Sequence, residues 1–117
     1  MINSQNLIND GLDLSTCKNN GQNTWSYNQG VILGGLTELN RAQKLPQLLE
    51  TAQTIADAAI AHLSDSNGVL HDTCEANCGA DGVQFKGIFM RNLMALNLAV
   101  PSARRCSSAI RRIFSAF

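Results

Sequence analysis

Apolar side chains recur at helical spacing in three segments of this sequence, and polar loops separate the segments. The first predicted helix runs from about Trp25 to Ala42, and the third begins near Phe85 and ends before Pro101. The second begins at Pro46, and Asn67-Gly68 is its stop signal. Its apolar stripe consists of Leu48, Ala52, Ile55, Ala59 and Leu63. The pattern therefore predicts an amphipathic second helix.

The first predicted helix is rich in glycine. Gly30, Gly34 and Gly35 would each weaken an isolated helix by about 1 kcal/mol relative to alanine. Small residues on a helix face let another backbone approach closely, so we predict a packed inner helix. Ser26 followed by Gln29 has the spacing of a capping box, which predicts the start of this helix.

The remaining segments are predicted to be loops. Residues 1–24 are dense in Asn, Asp, Gly and Ser, and we expect loop and extended structure there. Residues 69–84 form a second predicted loop, in which Asp81 and Gln84 are candidate caps of the third helix. Inner and outer helices that alternate in this way build helical toroids. We therefore predict an all-α fold whose three helices cannot close a ring by themselves.

Charge divides the chain into two parts. Residues 1–100 contain five Lys and Arg against nine Asp and Glu, whereas residues 101–117 contain four Arg and no acid. The mildly acidic body argues against a nucleic-acid partner. For the basic tail two explanations stay open: an amphipathic helix that binds a membrane or partner, or a shifted reading frame or unspliced intron.

Three cysteines lie in polar loops, which suits disulfides in an oxidising compartment. Cys17, Cys74 and Cys78 are the candidates, and the spacing does not decide their pairing. A zinc site formed by His71, Cys74 and Cys78, with Cys17 as fourth ligand, is the alternative. The polar start of the chain lacks the pattern of a signal peptide. A chain suited to an oxidising compartment but without an export signal indicates that its beginning is missing.

Candidate chemistry is concentrated at the starts of the two inner helices. Asp10 and Asp13 lie in an Asn/Gly-rich segment, where a turn is the favoured interpretation over catalysis. Helix starts on one rim of a toroid face a common cavity, in which aromatic rings stack on sugars and polar groups bind hydroxyls. Ordinary anchoring of loops is the alternative. The rim candidates are Trp25, Tyr27, Asn28, Gln29, Gln84, Phe85 and Lys86.

Three stretches of this sequence resemble fungal members of glycoside hydrolase family 76. Residues 24–36 resemble the family segment T-W-x-Y-N-Q-G-V-x-L-G-G-L, and residues 8–13 resemble its V-N-D-G-L-D loop. Residues 74–89 are similar to C-E-x-N-C-G-x-D-x-x-Q-F-K-G-I-F. The resemblance covers roughly residues 1–96. We therefore assign residues 1–100 to a partial hydrolase domain and residues 101–117 to an atypical tail.

The resemblance implies an (α/α)6 barrel, of which this chain would hold about three of twelve helices with long loops. It also implies a secreted or wall-associated, retaining endo-α-1,6-mannanase that acts on α-mannan or mannooligosaccharides, and it implies neither metal nor cofactor. The family's adjacent Asp-Asp catalytic pair matches no position here. The substrate-rim role carries over to Tyr27, Asn28, Gln29, Gln84, Phe85 and Lys86, and less directly to Asp13.

Two functional hypotheses follow from this resemblance. In the first, the chain is a C-terminal-half fragment of a mannan endo-1,6-α-mannosidase, inactive alone because both catalytic carboxylates are missing. In the second, it is a non-catalytic mannan-binding or interaction module that uses the same rim. In either case, inner-helix faces without the missing barrel half would leave apolar patches, so we expect aggregation or oligomers.

Overall fold

The computed structural model describes residues 1–100, and the two explanations of the basic tail lie outside this range. In chain order the elements are β1 (Leu12–Asp13), β2 (Lys18–Asn19), α1 (Ser26–Gln43), α2 (Pro46–Leu63), α3 (Gly79–Gly82) and α4 (Phe85–Ala99). The three long helices of the described part begin within one residue of their predicted starts. The prediction of an all-α protein with long loops is confirmed.

Short elements occur within both predicted loops. In the first loop, β1 and β2 form an antiparallel pair in which Leu12 lies opposite Asn19 and Asp13 opposite Lys18. In the second loop, α3 forms one helical turn, so the prediction of loop throughout residues 69–84 was wrong there. A four-residue helix is too short to show apolar periodicity, which is why the pattern did not reveal it.

The start of α1 differs from the predicted capping box. Trp25 occupies the cap position and makes no side-chain cap bond, while Ser26 lies inside the helix. The Ser26 main-chain N–H and hydroxyl both donate to the Asp72 carboxylate, at 2.7 and 2.6 Å. Gln29 bonds the main chain of Ile8 instead of reaching back to a cap. The local sequence suggested a local cap, but a distant carboxylate supplies it. At α4 neither candidate provides a side-chain cap.

Helix α1 lies between α2 and α4 and packs most closely against α4. A Cβ atom added to Gly30 would lie 2.6 Å from the Cα of Phe89, and one on Gly34 would collide with the side chain of Asn92. The later glycine of α1, Gly34, meets the later residue of α4, Asn92, so the two helices run parallel. Their starts consequently lie at the same end of the structure, as predicted for inner helices.

The core is formed by the three long helices and two loop segments. Its fully enclosed side chains include Leu33 on α1, Ile55 on α2 and Phe89 on α4. Leu7 and Leu70 contribute from the loops before α1 and after α2. The predicted stripe of α2 is confirmed at Ala52, Ile55 and Ala59, whereas Leu48 and Leu63 are only partly buried. None of the described helices is long and apolar enough to cross a membrane.

Replacing Gly30 by alanine should destabilise the protein, because the new methyl group would press on the backbone of α4. We expect the free energy of unfolding to fall by about 1–3 kcal/mol, as in other overpacked cores. Gly35→Ala is the matched control, since a Cβ at Gly35 meets no atom within 4 Å. That substitution should raise stability by about 0.5–1 kcal/mol through helix propensity. Urea unfolding of both variants measures the difference, and equal effects would contradict the packing described here.

Candidate functional site

Three aromatic rings meet at the shared end of α1 and α4, and we name them the aromatic cluster. The rings of Tyr27 and Phe85 have centroids 4.6 Å apart, and those of Trp25 and Phe85 are 5.7 Å apart. All three side chains are half-buried. Trp25 is the residue at the cap position of α1, Tyr27 lies in its first turn, and Phe85 begins α4. The parallel packing of the two helices therefore brings together rings that are about 60 positions apart in sequence.

An acidic side chain borders the aromatic cluster. Asp10 Oδ1 accepts a hydrogen bond of 2.7 Å from the Tyr27 hydroxyl and one of 3.2 Å from Asn28 Nδ2. The hydrogen bond from Tyr27 is the main reason why the pKa of Asp10 lies below its usual value. The same bond raises the pKa of Tyr27. Asp10 was predicted to be a turn residue, and only its contact with α1 shows that it belongs to this surface.

Asp13 lies in a turn with its own neighbours. Its Oδ1 accepts hydrogen bonds from the main chain and hydroxyl groups of Ser15 and Thr16. The Ser15 hydroxyl contributes most to lowering the pKa of Asp13. Its hydrogen-bond partners therefore belong to the β1–β2 turn.

The two glutamines of the predicted rim are placed differently from the aromatic residues. Gln29 is fully buried, and its amide bonds the main chain of Ile8 and of Trp25. It has no surface left for a ligand, so its expected contact with sugar is corrected to a structural role. Gln84 is exposed just before α4, where its main chain bonds Asp81 and Ile88. The predicted rim thus contains both core and surface residues.

A chain of charged groups begins at Lys86. We name it the charged network, and its members are Lys86, Glu75, His71 and Asp65. Glu75 accepts a contact of 2.5 Å from Lys86 Nζ, and its other oxygen lies 2.9 Å from His71 Nδ1. His71 Nε2 in turn lies 3.4 Å from Asp65. Partial burial alone would raise the pKa of Glu75, but donors from Lys86, His71 and the Asp72 main chain together lower it to about 2. Glu75 also raises the pKa of His71, assisted by Asp65.

The cysteines of the second loop form a disulfide. Cys74 and Cys78 are joined, whereas Cys17 is exposed and forms no disulfide with either of them. Two of the proposed zinc ligands, Cys74 and Cys78, are therefore bonded to each other. Among the residues that the structure describes, no group of three His, Cys, Asp or Glu side chains lies close enough to hold a metal ion. The zinc alternative is contradicted by the pairing of its two thiols.

An all-α unit in which aromatic and polar side chains meet at the common end of parallel helices is the arrangement expected of part of a helical barrel. The profile of glycosyl hydrolase family 76 matches residues 1–112, so the chain belongs to this family. The matched range extends beyond residue 96, near which the resemblance described above ended. The three long helices form part of the family's helical barrel.

Two relatives place this chain within longer proteins. It is 28% identical over 108 residues to mannan endo-1,6-alpha-mannosidase DFG5 of Saccharomyces cerevisiae, a match that covers 89% of this chain and 24% of that protein. The crystal structure of the Lin0763 protein from Listeria innocua superposes with a TM-score of 0.76 at 26% identity, covering 96% of this chain and 31% of that one. The chain therefore spans about a quarter to a third of these relatives.

The charged network should make the free energy of unfolding depend on pH in two ranges, one acidic, set by Glu75, and one above pH 6.5, set by His71. Because the pKa of Glu75 is lowered to about 2, its contribution is full above about pH 4.5 and is lost as the pH falls toward 2. Because the pKa of His71 is raised, its contribution is present at pH below 6.5 and is lost as the pH rises through the raised value.

Glu75→Gln tests the acid side of this dependence. We expect the variant to lose on the order of 1–2 kcal/mol at pH 6, after screening by solvent is allowed for, and to show a flatter acid limb. Glu38→Gln is the control, since Glu38 forms an exposed ion pair with Arg41. Unfolding free energies measured from pH 3 to 8 decide the matter, and parallel curves for native protein and Glu75→Gln would contradict the assignment.

Proposed function

We propose that residues 1–100 supply a mannan-binding surface of a glycoside hydrolase that acts on α-1,6-mannosidic linkages. The observation that carries this proposal is the aromatic cluster at the shared start of α1 and α4. The yeast relative, a mannan endo-1,6-alpha-mannosidase, supplies the substrate class. Membership of family 76 supports the reaction class.

The aromatic cluster has the composition of a sugar-binding platform. Trp25, Tyr27 and Phe85 are half-buried, so each ring is held by packing while part of it stays accessible. The C–H faces of a pyranose ring are apolar and stack on such rings, which desolvates both partners. Rings held in place by neighbouring helices also lose little entropy when a sugar binds.

Polar groups beside the rings can fix the orientation of the sugar. The carboxylate of Asp10 bonds Tyr27 and the amide of Asn28. Lys86 is the residue after Phe85 in sequence, and its ammonium group contacts Glu75. Carboxylate oxygens accept from sugar hydroxyls, and amide and ammonium groups donate to them. The proposed ligand-contacting set is therefore Trp25, Tyr27, Asn28, Phe85 and Lys86, with Asp10 added. Gln84 and Asp13 remain candidates on the strength of the family resemblance.

We propose that this chain by itself binds mannan and does not cleave it. Glycoside hydrolysis ordinarily requires a carboxylic acid that donates a proton and a second carboxylate. No two acidic residues are adjacent in this sequence. Two acids that contact the first residues of α1 and α4, Asp10 and Glu75, have lowered pKa values and accept hydrogen bonds already. Such groups are ionised near neutral pH and poorly suited to act as proton donors.

The disulfide and the exposed apolar residues support two further parts of this proposal. Cys74–Cys78 lies in a polar loop, which favours a secreted or cell-wall location because disulfides persist in oxidising compartments. Val31 and Leu39 lie on one side of α1, and Leu98 lies near the end of α4, all of them exposed. We propose that these apolar side chains are covered in the assembled barrel and promote association of the isolated chain.

Phe85→Ala should weaken the binding of α-1,6-mannotetraose, because Phe85 contacts both other rings of the aromatic cluster. We expect an increase in Kd of about five- to 150-fold, the effect of losing about 1–3 kcal/mol of aromatic contact. Isothermal titration calorimetry at pH 6 measures the change, with circular dichroism to show that the helices are retained.

Leu98→Ala is the matched control for this experiment. Leu98 is a large apolar residue of the same helix, 69% exposed and near the opposite end from Phe85. The Leu98→Ala variant should bind α-1,6-mannotetraose with the same Kd as the native chain. Absence of binding by the native chain, or equal weakening in both variants, would sink the mannan-binding proposal. Release of reducing ends from α-1,6-mannan by the native chain would refute the claim that it does not cleave.

A further inference from the structure

The segment from Asp72 to Cys78, which we name the disulfide loop, reaches the start of α1. Asp72 is only 5% exposed, and its two oxygens accept from the Ser26 N–H and hydroxyl at 2.7 and 2.6 Å. The first N–H groups of a helix have no partner within the helix, and Trp25 supplies no side-chain cap. Asp72 therefore acts as the cap of α1 from a position 46 residues away.

The same loop also reaches the start of α4. Glu75 holds Lys86, the second residue of α4, through the 2.5 Å contact between Glu75 Oε1 and Lys86 Nζ. That same Glu75 oxygen accepts a hydrogen bond of 3.2 Å from the main-chain N–H of Asp72. Asp72 and Glu75 are thus bonded to each other as well as to the starts of α1 and α4.

Covalent and packing contacts restrain the position of the disulfide loop. The Cys74–Cys78 bond closes the loop around Glu75. On its other side, Gly82 of α3 packs directly on Cys78, so that a Cβ at Gly82 would collide with the Cys78 side chain. The loop is consequently held against the chain that leads into α4. It has few apolar residues of its own, so these contacts are what keep its two acids in place.

Each anchored residue is the sequence neighbour of a ring in the aromatic cluster. Ser26 lies between Trp25 and Tyr27, and Lys86 follows Phe85. We propose that Asp72 and Glu75 are positioning residues: they hold the starts of α1 and α4 in register, and thereby set the spacing of the three rings that bind sugar. The sugar-affinity part of this inference rests on the proposed function, whereas the spacing of the rings does not.

Trp25 makes the proposal measurable, because it is the single tryptophan of the sequence and a member of the aromatic cluster. We would compare Asp72→Asn, Glu75→Gln and Ser26→Ala in the full chain. The readouts are the Trp25 emission maximum, acrylamide quenching and the Kd for α-1,6-mannotetraose, all well below the melting temperature. Glu38→Gln, which breaks an exposed carboxylate contact elsewhere on α1, is the control.

We expect the three variants to retain helical circular dichroism and to show red-shifted, more readily quenched Trp25 emission. They should bind α-1,6-mannotetraose about tenfold more weakly, the effect of losing one charge-assisted hydrogen bond. Asp72→Asn combined with Ser26→Ala should be no worse than Asp72→Asn alone, because both act on one contact. Glu38→Gln should match the native chain in all readouts.

A purely structural role predicts a different result. Variants that melt earlier, yet show native Trp25 emission and quenching while folded, would overturn the positioning role. Ser26→Ala, which removes one hydroxyl, decides the question if Asp72→Asn does not fold. If the native chain binds no mannotetraose, the proposed function is wrong. The emission and quenching data then still decide whether Asp72 and Glu75 position the rings.

Discussion

Helices α1 and α4 approach each other as closely as a glycine allows. Gly30 lies directly against the backbone of Phe89, and the enclosed Phe89 side chain in turn belongs to the core shared by all three long helices. Close packing of two parallel helices leaves no room to slide one past the other without opening a void. The position of Phe85 relative to Trp25 and Tyr27 is therefore tied to a contact one helical turn deeper. This packing sets the overall register of the two helices, within which the proposed positioning contacts of Asp72 and Glu75 hold the helix starts that carry the rings.

Buried polar contacts attach the loops to this helical frame. Gln29 forms hydrogen bonds with the main chain of Ile8, and Asp72 accepts hydrogen bonds from Ser26. In each pair the two residues are 20 or more positions apart in sequence. A buried donor or acceptor left unpaired costs about 1–3 kcal/mol, so each of these contacts strongly favours one loop position. Loops that contain few apolar residues are thereby held in defined positions against α1. The ordered surface around the aromatic cluster depends on these contacts as much as on the core.

The electrostatics of the surface favour binding of a neutral ligand over proton transfer. Asp10 and Glu75 are both stabilised as carboxylates by donors that the fold places beside them. A carboxylate in this state is a good acceptor of hydroxyl hydrogen bonds and a poor acid. The chain belongs to a glycosidase family and spans about a quarter to a third of its longer relatives.

The sequence by itself determined the helices and the family. The periodicity of Ile55 and Ala59 and the position of Pro46 specify α2, and the motif around Trp25 specifies family 76, because both are local patterns of residue type. The roles of single polar residues depended on the tertiary structure. Gln29 belongs to a surface-like motif but is buried, and Asp10 belongs to a turn-like segment but contacts Tyr27. Asp72 caps a helix that begins 46 residues earlier. Only the packing of α1 against α4, and of the loops against both, brings such partners together, since no local pattern records a contact between residues distant in sequence.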